Sequence, residues 1–381
     1  MKIASVEVRQ LTLELRAPFT TSFGSYTSFE RPFVIVTTTD GRRGVGEAPV
    51  LSDPAYKPEA DPPSVLASLQ SFILPSVATV HAEHGGIESV ASLRASYRWT
   101  KGAVFAKSAV EAAFWDLEAQ EKQLPLWKLW GGERRSFPVG VSIGGKTVEQ
   151  VLARADEAVG LGFTRLKVKI WPGFDAEPVQ ALRRRFPRIQ LQVDANSSYN
   201  LSNWQALKGL DDLDLLLIEQ PLFDDDIVEH SQIAPSFKTP ICLDESIHSL
   251  RDAQAAMLLW ERNDALDRLI INIKPPRVSG FDEAIAVAKA CRAAGVKTWI
   301  GGMLDSAWGK AFNLNFNSLA EIDLPGDHFS PSGPYFKDDI IHGALAAPNG
   351  VYELSDRVSA GVDFDWERFG HASRLVYRQE F

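Results

Sequence analysis

A parallel (β/α) barrel preceded by a smaller α+β domain is the fold this sequence predicts, and three observations point to it. The chain has 381 residues, more than one hydrophobic core ordinarily serves, so a large domain with a smaller companion is expected. From Pro138 onward, strand-like and helix-like segments alternate in units of about 25 residues, the grammar of a (β/α) barrel. Charged residues also close successive apolar runs in phase: Lys169, Asp194, Glu219 and Asp244 lie 25 positions apart, and Lys274 follows 30 later.

The N-terminal segment, residues 1–130, reads as antiparallel strands followed by helices. Ile3 to Leu15 alternates. Pro32 to Thr39 is a β-branched run reaching Asp40-Gly41, a hairpin turn signal, and Gly44 to Ala48 returns. Two stretches, Arg16 to Gly24 and Pro49 to Pro63, mix aromatic and small polar residues and are expected to be loops that act as lids. Val65, Leu66, Leu69, Phe72 and Ile73 share a helix face, and Phe105 to Glu121 reads as a buried, alanine-rich helix. Trp127 and Trp130 are expected to pack, and Gly131-Gly132 punctuates the chain.

The barrel segment, residues 131–336, has seven expected strands: Val139–Ile143, Arg165–Lys169, Ile189–Asp194, Leu213–Glu219, Pro240–Leu243, Arg268–Ile273 and Val296–Ile300. A shorter extended piece near Ile322 to Leu324 is expected to close the ring. Helical composition marks Glu177 to Arg184, Arg251 to Trp260 and Phe281 to Ala294. Residues 337–381 are turn-rich and are expected to pack back on the first domain. A doubly wound open sheet fits less well, since no G-x-G-x-x-G turn follows a strand.

A net charge of −9 offers no basic footprint for nucleic acid or anionic lipid. Two cysteines, Cys242 and Cys291, make no disulfide framework and favour a reducing compartment. The N-terminus lacks a signal peptide's apolar core, and no run approaches the roughly 18 apolar residues of a membrane span. The expectation is a cytoplasmic protein without membrane or nucleic-acid partners, acting on a small carboxylate; a homo-oligomer is compatible with an acidic barrel.

A barrel's active site lies at the C-terminal ends of its strands. Asp194, Glu219 and Asp244 would therefore converge, and three carboxylates in one pocket call for a cation. All are oxygen donors, so Mg²⁺ is expected first and Mn²⁺ second. Lys167 and Lys169 share one strand face, and Lys274 approaches from the far side of the ring. Crowded beside a dication, these ammonium groups would lower one another's pKa and serve as bases. Such a site suits removal of a proton from carbon next to a carboxylate.

At these residues the chain resembles the enolase superfamily, specifically its muconate-cycloisomerase-like subgroup. The marks are Lys167-Val168-Lys169, Asp194-Ala195-Asn196, Glu219-Gln220-Pro221, Asp244-Glu245-Ser246 and Lys274. Asn272 to Gly280, Gly301-Gly302-Met303-Leu304, Leu324 to Asp327 and Tyr335 to Ile340 resemble the o-succinylbenzoate synthase / N-acylamino-acid racemase family within it. The resemblance covers nearly the whole chain and implies a modified TIM-type (β/α)7β barrel under an α+β cap. It implies Mg²⁺ on Asp194, Glu219 and Asp244, with Lys169 and Lys274 as the acid/base pair. Lys167 would contact the substrate carboxylate, and Ser142, Asn196 and the Gly302–Met303 backbone would line the pocket. The implied reaction is the syn-dehydration of menaquinone biosynthesis, or racemisation of an N-succinylamino acid by the same two lysines. Two departures stand at the rim. Pro276 and Ser279 replace family glycines, so this loop is expected not to copy the family backbone. Asp305 replaces a glutamate.

Other chemistries explain less. A lysine Schiff-base lyase leaves the three carboxylates without a role, and a glycosidase has no use for paired lysines. A catalytically silent metal-binding relative would bind Mg²⁺ without exchanging α-protons.

Overall fold

The computed structural model describes residues 1–20, 24–331 and 333–381. Strands β1 (Ile3–Thr20), β2 (Ser25–Thr38) and β3 (Arg43–Glu47) form an antiparallel sheet, and the last strand of the chain joins its outer edge against β1. The alternation of β1 changes phase part-way: Val6 and Val8 are buried, then Leu11, Leu13 and Leu15. Pairing shifts register between Val8 and Arg9. The extra residue at this bulge, Val376, lies on the terminal strand, while pairing of β1 with β2 runs through Val8 and Arg9 without a break.

The first expected lid is largely strand instead. β1 runs through Arg16 to Thr20, and Phe19 pairs with Tyr26; positions 21–23 of the expected loop lie outside the described residues. Cross-strand hydrogen bonds hold this backbone extended where its composition reads as a loop. The hairpin reaches the barrel side, where the Arg16 amide donates to the Tyr335 carbonyl and Lys337 donates to Glu14. The second stretch, from Pro49 onward, is turn-rich, as expected.

Helices follow, the longest being Val104–Lys122, whose buried alanines lie against β3. A Cβ on Gly46 would fall 1.8 Å from the Ala109 carbonyl oxygen, so only glycine allows this approach. Pro62–His84 is long and apolar enough to span a membrane by length and composition, against the expectation that no stretch would be. Leu69, Ile73, Leu74 and Val77 bury one face of it in the core, the pattern of a helix packed on a sheet.

β4 (Ser136–Pro138) leads into the parallel strands β5 (Val141–Ile143), β6 (Arg165–Lys169), β7 (Gln190–Asp194), β8 (Ile218–Glu219), β9 (Ile241–Leu243), β10 (Leu269–Ile273) and β11 (Lys297–Ile300). They form one seven-stranded sheet in sequence order. No regular eighth strand is found at residues 322–324. Irregular chain closes the ring there: Asp323 and Leu324 donate to the Thr298 carbonyl on β11, and Gly140, next to β5, donates to the Gly326 carbonyl. Leu217, Cys242, Ile270 and Trp299 pack together inside the barrel, beneath the site, and both cysteines are free and buried. β12 (Val351–Glu353) pairs with β4, and β13 (Ser373–Glu380) is the terminal strand on β1.

Candidate active site

Parallel register sets the charged strand ends side by side. Ser142 pairs with Lys167, Lys169 with Asp194, and Asp194 with Glu219. Asp244 and Lys274 each lie one residue past β9 and β10. Lys167, Lys169, Lys274, Ser142, Asn196, Gly302 and Met303 all line one cavity, together with Phe19, Leu51 and Tyr56 from the N-terminal segment. The three acids lie beneath those lysines, fully buried.

Each acid holds a cation. Asp194 Oδ2 lies 2.6 Å from Lys169 Nζ and 3.1 Å from Lys167 Nζ. Asp244 pairs with Lys274 at 2.8 Å and closely with Arg277. Lys167 also reaches Glu219 at 3.2 Å and Asp327 at 2.7 Å. The expectation of lowered lysine pKa values assumed a dication beside them; the protein's own groups act the other way on Lys167 and Lys274. Burial does push Lys167 downward, but Asp327, Glu219 and Asp194 outweigh it and hold the ammonium well above its usual range. Lys274 behaves alike: burial lowers it, and Asp244 leads the groups that raise it further. In this geometry the carboxylates, not the neighbouring lysines, are nearest.

Among the described residues, no three acidic, histidine or cysteine side chains already stand at metal-ligand spacing. The donor set still fits a hard cation. Glu219 Oε2 is buried and accepts no hydrogen bond; Lys167 is close enough for an ion pair but not aligned to donate. Burial, then Asp194, raises the Glu219 carboxyl well above the usual range, with Asp244 adding to the effect. A buried acid with an unsatisfied oxygen beside two carboxylates is what a divalent ion would relieve.

Surrounding groups fix these side chains. Asn196 accepts from Lys169 at 2.6 Å and donates to Glu245 at 3.0 Å. Asn272 donates to Glu219 at 2.8 Å, and Gln220 accepts from the Asp244 amide at 2.9 Å. Asn196, Ser197, Gln220 and Leu304 all have positive φ, so backbone strain of order 1 kcal/mol each gathers just beyond the strand ends. The Met303 amide donates to Asp305 at 3.0 Å, which leaves the Gly302–Met303 backbone lining the cavity with one donor already used.

The two departures have different outcomes. Asp305 lines the site cavity, whereas Pro276 faces a second, smaller one, and neither Pro276 nor Ser279 lines the first. The turn after β10 is closed by Arg277 and Val278 amides donating to the Lys274 carbonyl, so the N–H that Pro276 lacks is not needed there. Ser279 takes φ 74°, the conformation glycine favours. A left-handed backbone thus stands at Ser279 in spite of its side chain, and the strain is borne by serine.

Several site residues were given no role from sequence. Glu245 is buried beside Asp244, and burial pushes its carboxyl up to about 7. Lys310 and His328 also line the cavity. Lys310 is the only charged residue in helix Ala307–Phe316, a signal that could have flagged it. For His328 no pattern stands out.

The chain's residues 150–368 match the model described as enolase C-terminal domain-like, and residues 3–131 match the mandelate racemase / muconate lactonizing enzyme N-terminal domain. The chain belongs to the enolase superfamily. It is 38% identical over 382 residues to an o-succinylbenzoate synthase of Geobacillus kaustophilus, covering 99% of this chain and 98% of that one. It is also 38% identical over 374 residues to an N-succinylamino acid racemase of an Amycolatopsis species, covering 94% and 98%. A solved enolase-superfamily structure from Listeria innocua superposes with TM-score 0.91 at 32% identity, covering 100% of this chain and 99% of that one. The fold resemblance thus extends to the cap and the terminal strand. Equal identity to a synthase and a racemase means that overall likeness does not separate the two reactions.

Proposed function

We propose that this enzyme removes a proton from the carbon next to a carboxylate, and that its main reaction is the syn-dehydration that yields o-succinylbenzoate. The observation that carries the reading is the placement of two lysines on opposite sides of one carboxylate set: Lys169 on β6 against Asp194, and Lys274 beyond β10 against Asp244. Asp194, Glu219 and Asp244 are the residues that would hold Mg²⁺, or Mn²⁺ in its place. When bound, that ion supplies positive charge for the substrate carboxylate as it takes up electrons from the broken C–H bond.

Lys169, as the neutral amine, takes the α-proton and returns it to the departing hydroxide, so that water leaves from the same face. Lys274 stays protonated across the cavity and offsets the developing negative charge. Asn196, hydrogen-bonded to Lys169, holds that amine in line. Lys167 and Ser142 face the substrate carboxylate. Phe19, Leu51 and Tyr56 cover the cavity and limit water. The same lysine placement favours a second reading, racemisation of N-succinylamino acids, in which Lys169 takes the proton from one face and Lys274 delivers one to the other. Both readings imply a soluble cytoplasmic enzyme acting on small carboxylates.

The test is to incubate the enzyme and Mg²⁺ separately with the dehydration substrate and with an N-succinylamino acid. Ultraviolet change with the first supports the synthase, and loss of optical rotation with the second supports the racemase. Turnover of neither would overturn the proposal.

A further inference from the structure

The cavity has a second polar end that the proton transfer does not use. Asp194, Glu219 and Asp244 come from β7, β8 and β9, one arc of the ring. Across the ring, where irregular chain links β11 to β5, Lys310, His328 and Tyr335 line the same cavity. Lys310 is 8% exposed and His328 2%. Among the described residues the Lys310 ammonium has no ion pair within reach and donates no hydrogen bond, whereas its amide donates to the Ser306 carbonyl. Its ammonium rests over the rings of Tyr335, at 4.5 Å, and Phe329, at 5.4 Å. The Tyr335 hydroxyl donates to the Phe329 carbonyl at 3.0 Å, which pins that platform. Both ring nitrogens of His328 are buried without a hydrogen-bond partner. Gly302 lies between this end and Asp305: a Cβ there would stand 3.3 Å from Asp305 Oδ2 and 3.7 Å from His328 Nδ1.

A buried cation without a paired carboxylate, beside an imidazole without a partner, is costly unless something completes it. Both groups face a cavity that a substrate enters. Glu47, Asp305 and Asp339 are close enough to act on Lys310 through space, yet none makes contact. The ammonium thus lies between the Tyr335 and Phe329 rings and the cavity, which Asp305 and Asp327 also line.

We propose that Lys310, with His328, binds the distal carboxylate of a dianionic substrate whose reacting carboxylate sits on the β7–β9 arc. This deepens the reading above and rests on it for which end reacts. The ligand class is a succinyl-bearing acid, with one carboxylate at each end. The ammonium supplies the charge, and neutral His328 supplies one N–H donor to the second oxygen. A charge-assisted contact of this kind selects the dianion over a neutral-tailed analogue by about 10- to 100-fold.

The experiment is calorimetric binding to the Mg²⁺-loaded enzyme of o-succinylbenzoate and of o-butyrylbenzoate, in which a methyl group replaces the distal carboxylate. Wild type should prefer the succinyl compound by about 10- to 100-fold. Lys310→Met should reduce that preference to within about threefold, and Lys310→Arg should retain most of it. An unchanged preference in Lys310→Met, or no preference in wild type, overturns the assignment. Because binding is read without turnover, failure of the proposed reaction would appear separately, in the dehydration and racemisation assays.

Discussion

Replacing Lys167 by methionine removes the cation that the largest number of buried acids share. Its ammonium lies 3.1 Å from Asp194, 3.2 Å from Glu219 and 2.7 Å from Asp327. Asp194 keeps Lys169 at 2.6 Å, but Glu219 and Asp327 lose their only ion-pair partner among the described residues. Methionine preserves packing over the Trp299 ring, against which the lysine sits, so the effect is one of charge. Leaving buried carboxylates unpaired costs about 3–5 kcal/mol. With an unfolding entropy near 0.8 kcal/mol per kelvin for a chain of this size, Tm should fall by about 4–6 °C. The assay is thermal unfolding at pH 7 in EDTA, then with increasing Mg²⁺. Since one fewer ammonium would compete for these acids, and none for Glu219, Mg²⁺ should raise the variant's Tm more than the wild type's, recovering part of the loss. A Tm unchanged in EDTA, or a Mg²⁺ shift no larger than in wild type, would refute the charge balance argued here.

Three further outcomes follow from single residues. Burial pushes the Asp116 carboxyl up to about 6, opposed by hydrogen bonds from Ser359, Gln120 and the Val45 amide. Its folded pKa lies above the unfolded one, so its stabilisation is present below about pH 4 and lost as pH rises through about 6. Denaturant unfolding from pH 4 to 7 should show wild type losing up to about 3 kcal/mol relative to Asp116→Asn; parallel curves would contradict it. Ser279→Gly, at φ 74°, should raise stability by about 1 kcal/mol in chemical denaturation, and a loss would mean that the serine side chain earns its place. Lys274→Met should leave the fold intact, because Arg277 still pairs with Asp244 and donates to the Ile247 carbonyl at 2.8 Å. Racemisation, followed by polarimetry, should nonetheless fall at least about 10²-fold, and retention within tenfold would remove Lys274 from the chemistry.

The barrel was legible because its parallel strands are buried on both faces and end on charged residues in phase, and the structure places those residues around one cavity. The hairpin at residues 16–20 was not, since its strands are held by cross-strand pairing that local composition does not encode. Ring closure by residues 323–326 was half legible: position was clear, but the backbone bonds are irregular. Strand spacing shows that Lys167 and Lys169 are neighbours, whereas only coordinates show that Asp327 and Glu219 also reach Lys167. Lys310 escaped notice as a single charged residue in an otherwise uncharged helix, His328 because nothing in its sequence surroundings marks it, and only the fold shows that both border the cavity. Ser279 is the converse case. Its side chain disfavours the left-handed backbone that it adopts.

The central claim is that Lys169 abstracts the α-proton, and isotope exchange tests it most directly. Wild type and Lys169→Ala, each with saturating Mg²⁺, would be incubated with an N-succinylamino acid enantiomer in D₂O, and α-deuterium would be followed by NMR. The account predicts that the enantiomer presenting its proton to Lys169 exchanges in wild type and slows by at least about 10²-fold in the variant. Exchange of both enantiomers at wild-type rates in Lys169→Ala would contradict it.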